Sequence, residues 1–384
     1  RDTDRSRGLG DVYKRQDMNR TIMLTLCITA LLYSCTATKS SSDFSNEIFV
    51  DVEQSVELPL QRGRIIPLET SDSSLLYDIV SIDQVKDKYF IRSRNKILTF
   101  DTEGNYLYNI SGIGQGNKEY VNLSSFFIKN EELCIYDFNQ GRVLFFAPSG
   151  RYLRTEKTVK KSDVECVPQL IRPYGKNKYI AKNSFNGTPG YVTPALSLLD
   201  EKYTITQTLE GHSLHTGFLL FDFMNCDDNG GFITYWEALS DTIYAVVNDS
   251  MVQPKYLVNF GEYAIPAVER LNKDVYDLID YVNKPENQKL ATLIRYVYEE
   301  ENYLYFVFSC EDSVRLTLYN KETHNTTTYI LPAEVNGGKY RLASFLKVDK
   351  DKLIMALEDC ENIENNQSLF IINKKELCEK SCFK

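Results

Sequence analysis

Two short stretches of this chain repeat one pattern: residues 100–107 read Phe-Asp-Thr-Glu-Gly-Asn-Tyr-Leu, and residues 146–153 read Phe-Ala-Pro-Ser-Gly-Arg-Tyr-Leu. The matching Phe, Gly, Tyr and Leu residues are all 46 positions apart. An apolar pair precedes each stretch, so each unit reads as strand, glycine turn and strand. Repeats of about 40 to 50 residues made of short strands are typical of radial β-architectures, in which each four-stranded sheet covers its neighbour. The sequence therefore predicts an all-β chain, a β-propeller with one blade per repeat.

Residues 1–17 and 18–34 are not expected to belong to the folded domain. The first segment is charged and poor in apolar residues, and it resembles translated upstream or adapter sequence. The second begins at Met18, carries Arg20 and continues into an apolar run over residues 21–33, which is the order of an export signal peptide. Because a membrane-spanning helix needs about 20 apolar residues, this run is too short to be one. We expect an exported protein.

A cysteine follows this apolar run. Residues 32–35 read Leu-Tyr-Ser-Cys and resemble a bacterial lipobox, in which Cys35 would be lipidated and become the mature N-terminus. Tyr33 differs from the small residue usual at that place, and a cleaved signal followed by a chance cysteine is the alternative. The polar residues that follow favour a flexible tether, which we assign to residues 35–54. These features predict a cell-envelope protein held on the membrane by an N-terminal lipid.

Size and charge limit the remaining choices. From residue 35 onward the formal charge is −11, because residues 1–34 hold six Lys or Arg and four Asp or Glu of a chain at −9. An acidic balance argues against a nucleic-acid partner, since phosphate binding depends on a basic surface. Six or seven units of 46 residues fill the rest of the chain, so residues 55–384 are predicted to form a single propeller domain.

Seven of the nine cysteines remain after Cys27 in the signal peptide and Cys35 are set aside. Their odd number and their apolar strand contexts predict mostly buried free thiols. Cys378 and Cys382 could pair near the C-terminus, which their spacing alone leaves open.

One stretch departs from the strand pattern. From residue 267 to residue 294 apolar side chains recur at helical spacing, which predicts a short helical insertion between blades. Two roles are open for it: a lid over one face, or a helix packed on the outer side to cover an apolar strand edge. We favour the second role, a helix that covers an apolar strand edge.

Three groups of residues carry a family resemblance: Ile66-Pro67-Leu68-Glu69-Thr70, the segment from Gly112 to Tyr120, and Ser240-Asp241-Thr242-Ile243-Tyr244 with the segment from Pro254 to Pro266. In these stretches the chain resembles the six-bladed β-propeller lipoproteins of Bacteroidetes, a family similar to NHL-type propellers. Asn117 and Lys118 stand where that family usually has Pro-Gly. The resemblance implies six four-stranded antiparallel blades and a place in the cell envelope, and it says little about chemistry.

A propeller must also close its ring. An unclosed ring leaves an exposed strand edge, so an N-terminal strand commonly completes the last sheet. Residues 55–60 or residues 65–68 could serve as that strand. We expect the closing strand to pair near residues 369–372.

The glycines at positions 112, 114 and 116 imitate a phosphate-binding loop. No Gly-Lys-Ser or Gly-Lys-Thr follows them and no long amphipathic helix begins there, so the backbone amides and helix dipole that hold a phosphate are missing. We expect a connector between blades. No other motif of the chain predicts a cofactor.

Histidine and acidic residues give two weak candidates for chemistry. His212 and His215 form His-x-x-His, but a zinc centre needs three or four ligands and the chain has just one further histidine, His324. Four aspartates lie in or near the fourth unit without the spacing of a calcium loop: Asp222, Asp227, Asp228 and Asp241. Solvated loop histidines and turn aspartates are the favoured interpretation, and neither a metal site nor catalytic residues are expected.

Aromatic residues are the remaining clue to a ligand. The chain has 26 Tyr and 20 Phe but a single Trp. Flat rings stack on sugars and peptides, and the loops of a propeller gather around one concavity. Near the predicted strand ends we select Tyr120, Tyr174, Tyr191 and Trp236 as candidate ligand-binding residues, although most aromatics of such a fold pack between blades.

Two classes of function follow. In the first, the propeller is not an enzyme and binds a glycan, a peptide or a partner protein at the cell envelope. In the second, it is a lyase or hydrolase that uses acidic or His residues, or a divalent metal, at the central channel. Two carboxylates facing each other across the channel would favour the enzyme.

Overall fold

A computed structural model describes residues 46–110, 112–158, 168–175, 177–183, 194–209, 224–226, 233–237, 239–273 and 275–378 of the 384-residue chain. Within these residues the strands form six separate sheets, and each follows the previous one along the chain. The predicted six-bladed β-propeller is confirmed.

Each blade holds four consecutive antiparallel strands. Blade 1 has β4 (Ser81–Val85), β5 (Lys88–Ser93), β6 (Lys96–Asp101) and β7 (Tyr106–Ile110). Blade 2 has β8 (Leu123–Lys129), β9 (Glu132–Asp137), β10 (Arg142–Phe146) and β11 (Tyr152–Lys157). Blade 3 has β12 (Pro168–Tyr174), β13 (Lys178–Asn183), β14 (Leu196–Leu199) and β15 (Ile205–Leu209).

The other three blades each gain a strand from the N-terminal segment. Blade 4 has β16 (Met224–Cys226), β17 (Ile233–Trp236), β18 (Thr242–Val247) and β19 (Met251–Asn259), with β1 (Glu47–Phe49) parallel to β19. Blade 5 has β20 (Ile294–Glu299), β21 (Tyr303–Cys310), β22 (Ser313–Asn320) and β23 (Thr326–Ile330), with β2 (Val56–Glu57) parallel to β23. Blade 6 has β24 (Glu334–Val335), β25 (Tyr340–Val348), β26 (Lys352–Asp359) and β27 (Ser368–Asn373), with β3 (Arg64–Pro67) on its outer edge.

Ring closure uses the second of the two predicted segments. Strand β3 pairs antiparallel with β27, so that Ile66 lies opposite Leu369 and Ile65 lies opposite Phe370. The first segment, residues 55–60, instead contributes β2 to blade 5. The N-terminal segment thus adds edge strands to blades 4, 5 and 6 in turn, which covers edges that would otherwise be open.

The two repeats that predict the fold have matching geometry. Phe100 lies opposite Tyr106 and Phe146 lies opposite Tyr152, each beside a bulge, with ring centroids 5.8 Å apart in both pairs. The turn glycines have φ of +90° at Gly104 and +80° in the second repeat. This left-handed backbone is open to glycine at little cost, so the pattern specifies the same turn twice.

The core is divided among the six interfaces between blades, with one buried apolar cluster at each. Strand β9 shows why. Leu133 and Ile135 pack toward blade 1, whereas Cys134 and Tyr136 pack toward blade 3. Because successive side chains point to opposite faces of a sheet, a strand buried on both faces needs apolar residues at every position.

A lysine also reaches across each of the six interfaces to an acceptor of the neighbouring blade. The pairs are Lys86–Glu131, Lys129–Tyr179, Lys178–Asp249, Lys255–Glu299, Lys374–Glu300 and Lys347–Asp83. An exposed pair such as Lys86–Glu131 contributes at most about 1 kcal/mol, whereas Glu299, the partner of Lys255, is buried.

The predicted helical insertion consists of α1 (Ala267–Asn272) and α2 (Val275–Val282), between β19 and β20. Leu278 of α2 is fully buried in the cluster shared by blades 4 and 5, where Ile48 of β1 also packs. The favoured interpretation, a cover over an apolar surface, agrees with this packing. A last short helix, α3 (Lys375–Cys378), follows β27.

Three cysteine side chains are described, and all three are free thiols. Cys134 and Cys310 are buried, as predicted, whereas Cys360 is exposed. Cys382 and the side chain of Cys378 lie outside the described residues, as do Cys35 and the predicted signal peptide.

Candidate functional site

All six blades contribute to one central cavity of about 650 Å³, which we call the channel. Its wall is formed by the innermost strands, namely β4, β8, β12, β16, β20 and β25, together with the residues that flank them. Its size lies within the range of about 300 to 1,000 Å³ that is usual for small-molecule sites. The channel is therefore the candidate binding site.

The channel is basic although the protein is acidic. Seven of its lining residues are Lys or Arg and three are Asp, whereas the whole chain has a formal charge of −9. Its basic residues are Lys86, Arg92, Arg172, Arg295, Lys347, Lys350 and Lys352. Concave surfaces with low-dielectric walls concentrate the field of such charges, so this channel favours anions.

Two of the arginines contact the innermost strand of blade 2 from its two neighbours. Arg92 of blade 1 donates a hydrogen bond to the carbonyl of Ser124 at 2.6 Å. Arg172 of blade 3 donates to the carbonyl of Phe126 at 3.4 Å. Both guanidinium groups are thus held beside β8, one at each of two carbonyls that are two residues apart.

Arg295 of blade 5 reaches the channel because of a β-bulge. The register between β20 and β21 shifts between Ile294 and Tyr296, which leaves Arg295 without an opposite residue. A bulge re-aims the side chain of its extra residue. Arg295 lines the channel and stays accessible there, and burial lowers the pKa of its guanidinium. The charged form of this side chain is therefore less stabilised than in water.

Between blades 6 and 1, Lys347 of β25 forms an ion pair with Asp83 of β4 at 2.5 Å. Burial opposes the charge of Lys347, but Asp83 and Asp349 outweigh it and the pKa of the lysine is raised. Beside this pair, the hydroxyl of Tyr296 accepts a hydrogen bond from the Val348 amide at 2.9 Å, and burial raises the pKa of Tyr296 to about 12. The Lys347 ammonium is therefore charged and the Tyr296 hydroxyl is neutral at neutral pH.

The three predicted ligand-binding residues that the structure describes do not come together. Trp236 lines the channel, although it is just 2% exposed and its indole N–H donates to the Ile294 carbonyl at 3.0 Å. Tyr174 lies at the end of β12 in a separate surface groove, where its hydroxyl donates to Asp249. Tyr191 lies outside the described residues.

Tyr120 lies in the core between blades 1 and 2 and is fully buried. Its hydroxyl is 2.9 Å from the carbonyls of Asn95 and Ile110. We therefore assign Tyr120 a packing role in place of the expected ligand contact.

The glycine segment is a connector, as expected. It joins β7 to β8, and Arg142 holds it by donating to the carbonyls of Gly116 and Glu119. The amide of Gly116 donates to a carboxylate oxygen of Glu119 at 2.9 Å, which occupies the place that a phosphate oxygen would take in a phosphate loop.

The weak candidates for chemistry lie apart from the channel where they are described. His324 has φ of +58° in the turn between β22 and β23, and its Nδ1 is 2.7 Å from the Tyr319 hydroxyl. Asp241 pairs with Arg270 of α1. Within the described part of the chain no group of three or more His, Cys, Asp or Glu could hold a metal ion. His212, His215, Asp222, Asp227 and Asp228 lie outside that part.

The channel arginines were missed at the level of sequence. Ile294 and Tyr296 predict a strand, but nothing in that order of residues reveals a bulge that turns Arg295 inward. An Arg on the first strand of a predicted blade would have indicated Arg172 and Arg295, because that strand lies nearest the axis of a propeller; Arg92 is on the second strand of its blade.

Comparison with known proteins identifies the family. The family model described as a domain of unknown function, DUF4934, matches residues 56–379. The chain belongs to the DUF4934 family. No curated protein is significantly similar to it.

Two solved structures share the fold of this DUF4934 protein. A protein of Bacteroides fragilis that is described as exported is 17% identical, with a TM-score of 0.63 over 85% of this chain and 98% of that one. A member of the DUF4221 family from Bacteroides vulgatus is 11% identical, with a TM-score of 0.51 over 83% of this chain and 98% of that one. At these identities the likeness shows the fold alone. Among the described residues, none of the helices is long and apolar enough to cross a membrane.

Proposed function

We propose that this DUF4934 protein is an exported, lipid-anchored protein of the cell envelope that binds a ligand in its central channel without converting it. One observation carries the binding function: a cavity of about 650 Å³ is lined by all six blades and combines aromatic rings with charged groups. Such a combination fixes a ligand through a few polar contacts while apolar surface supplies affinity. A glycan, a peptide or an exposed segment of a partner protein are the ligands considered.

The location is supported by the sequence and by a structural neighbour. Residues 18–34 have the order of an export signal and Cys35 follows them. The structurally similar protein of Bacteroides fragilis is described as exported. Ligand capture outside the cytoplasm agrees with a rigid scaffold of this kind.

Glycan and peptide arrays probed with the purified chain test the binding function. We expect saturable binding, with the ligand recovered unchanged by mass spectrometry. A Lys350→Trp variant, which places a bulky ring at the channel rim, should weaken this binding, whereas Lys118→Trp on an exposed connector should not. Chemical conversion of the ligand would favour the alternative, a hydrolase or lyase, and a lack of binding on both arrays would refute the proposal.

Metabolic labelling with an alkyne fatty acid tests the anchor. The full chain should carry the label and sediment with membranes. Cys35→Ser should lose the label, and Cys27→Ser, a control within the apolar run, should keep it. Label that persists in Cys35→Ser would contradict the assignment.

A further inference from the structure

Three arginines reach the channel from alternate blades: Arg92 from blade 1, Arg172 from blade 3 and Arg295 from blade 5. The intervening blades contribute aromatic side chains, namely Phe126, Trp236 and Phe345, and blade 6 adds three lysines. The three guanidinium groups are therefore distributed around the axis.

The first two arginines contact the same strand. Their guanidinium groups are held at the carbonyls of Ser124 and Phe126, two residues apart along β8. Two residues of a regular strand span roughly 7 Å, and the bulge of β8 at Ser124 shortens this span. A carboxylate between two guanidinium groups forms N–H···O bonds of about 2.8 Å on each side, so one carboxylate can bridge a gap of this order. Because a guanidinium carries several N–H donors, it can hold a backbone carbonyl and a ligand oxygen together.

The third arginine is the most exposed of the three and lines the same channel. The surrounding protein lowers the pKa of its guanidinium. The bulge in β20 holds the side chain in this position, which matches the tendency of bulges to occur beside functional sites.

An aromatic pair from blades 5 and 6 fits the uncharged body of such a ligand. Tyr296 and Phe345 have ring centroids 5.2 Å apart, and both line the channel. Lys347 also lines the channel, and it forms an ion pair with Asp83. The channel thus presents aromatic rings from blades 5 and 6 together with guanidinium groups from blades 1, 3 and 5.

We propose that the channel binds a small ligand bearing a carboxylate, held by Arg92, Arg172 and Arg295, with its body against the Tyr296–Phe345 pair. This inference rests on the proposed binding function and specifies its ligand. The carboxylate can belong to an acidic sugar or to the C-terminus of a peptide, since the same forked hydrogen bonds recognise both.

Calorimetric titration with two matched pairs of probes tests the inference. The sugar pair is trigalacturonic acid and its methyl ester, and the peptide pair is acetyl-trialanine and its C-terminal amide. We expect at least one acid to bind, its neutral partner to bind roughly tenfold more weakly or worse, and the acid's affinity to fall as salt is added. The pair that responds identifies the source of the carboxylate.

Variants locate the binding. Arg295→Gln, on the arginine most accessible from the cavity, should weaken binding of the acid by roughly tenfold or more and leave binding of the neutral partner unchanged. Arg151→Gln, in the exposed turn between β10 and β11, is the matched control and should bind as the parent does. Arg172→Gln should act like Arg295→Gln, with urea unfolding of both variants to show that the fold is intact.

The outcomes separate the two proposals. If neither acid binds, if an acid binds no better than its neutral partner, or if a folded Arg295→Gln binds the acid as the parent does, the carboxylate inference is overturned. A neutral ligand from the arrays that is lost in Lys350→Trp would still support the channel as a binding site. The proposed function fails when the arrays show no ligand of any charge.

Discussion

Replacing Gly104 by alanine should break the junction at which the ring closes. Gly104 has φ of +90°, and a methyl group there would lie well inside 3.0 Å of the Pro67 carbonyl oxygen, in the backbone of the closing strand β3. The carbonyl of Gly104 also accepts a hydrogen bond from the Glu69 amide at 2.9 Å, so the two segments cannot separate without further loss. The turn between β6 and β7 of blade 1 therefore packs directly against the closing strand β3.

The size of the effect follows from two contributions. A left-handed backbone costs a residue with a side chain about 1 to 2 kcal/mol. Forcing a methyl group into a packed backbone contact costs about 1 to 3 kcal/mol more. Gly104→Ala should therefore lower the free energy of unfolding by about 2 to 5 kcal/mol. Gly337→Ala is the matched control, because Gly337 has φ of +67° with no atom within 4 Å of the added methyl group. It should lose just the backbone contribution.

Equilibrium urea unfolding followed by tryptophan fluorescence measures both variants, since Trp236 is the chain's single tryptophan and is buried. We expect Gly104→Ala to be less stable than Gly337→Ala by about 1 to 3 kcal/mol. Equal losses in the two variants would show that the closing strand does not press on this turn, and would refute the reasoning.

Two further results are expected. Asn366→Ala should lower the free energy of unfolding by about 2 to 5 kcal/mol, measured with urea, because the Asn366 side-chain amide bonds three backbone groups of the segment between β3 and β4 at 2.7 to 2.8 Å. Asn365 is exposed, and Asn365→Ala should cost little. Equal losses in the two variants would contradict this account. Iodoacetamide at pH 8 should alkylate the exposed Cys360 of the native protein and spare the buried Cys310, where burial raises the pKa of the thiol to about 11. Peptide mass spectrometry measures both reactions. Early modification of Cys310 would contradict its burial.

Local rules account for much of the fold. The Phe, Gly and Tyr residues of the first two blades predict a glycine turn between two strands, because a positive φ and period-two alternation are properties of a short segment. The corresponding turns of blades 3 and 5 have no glycine at the left-handed position, and the turn of blade 5 is one residue longer. Tyr203 and His324 take that position with φ of +58°, which neither residue type predicts.

Long-range pairing decided which N-terminal segment closes the ring. Residues 55–60 and 65–68 are both short and apolar, and each forms a strand. Their partners are about 270 to 305 residues away in the chain, β23 for one and β27 for the other. The choice depends on which blade edge lies within reach once the ring has formed, and this is a property of the assembled sheets.

The sequence by itself determined the blade: its strands, its glycine turn and its two apolar faces. The four central positions of β9, for example, are all apolar: Leu133, Cys134, Ile135 and Tyr136. Only the tertiary structure decided the channel. Arg92, Arg172 and Arg295 are separated by 80 and 123 residues in sequence, and the ring, together with a bulge, brings them to one cavity. The physical reason is that strand alternation is set by neighbouring residues, whereas the side chains lining an axis are set by how six sheets pack around it.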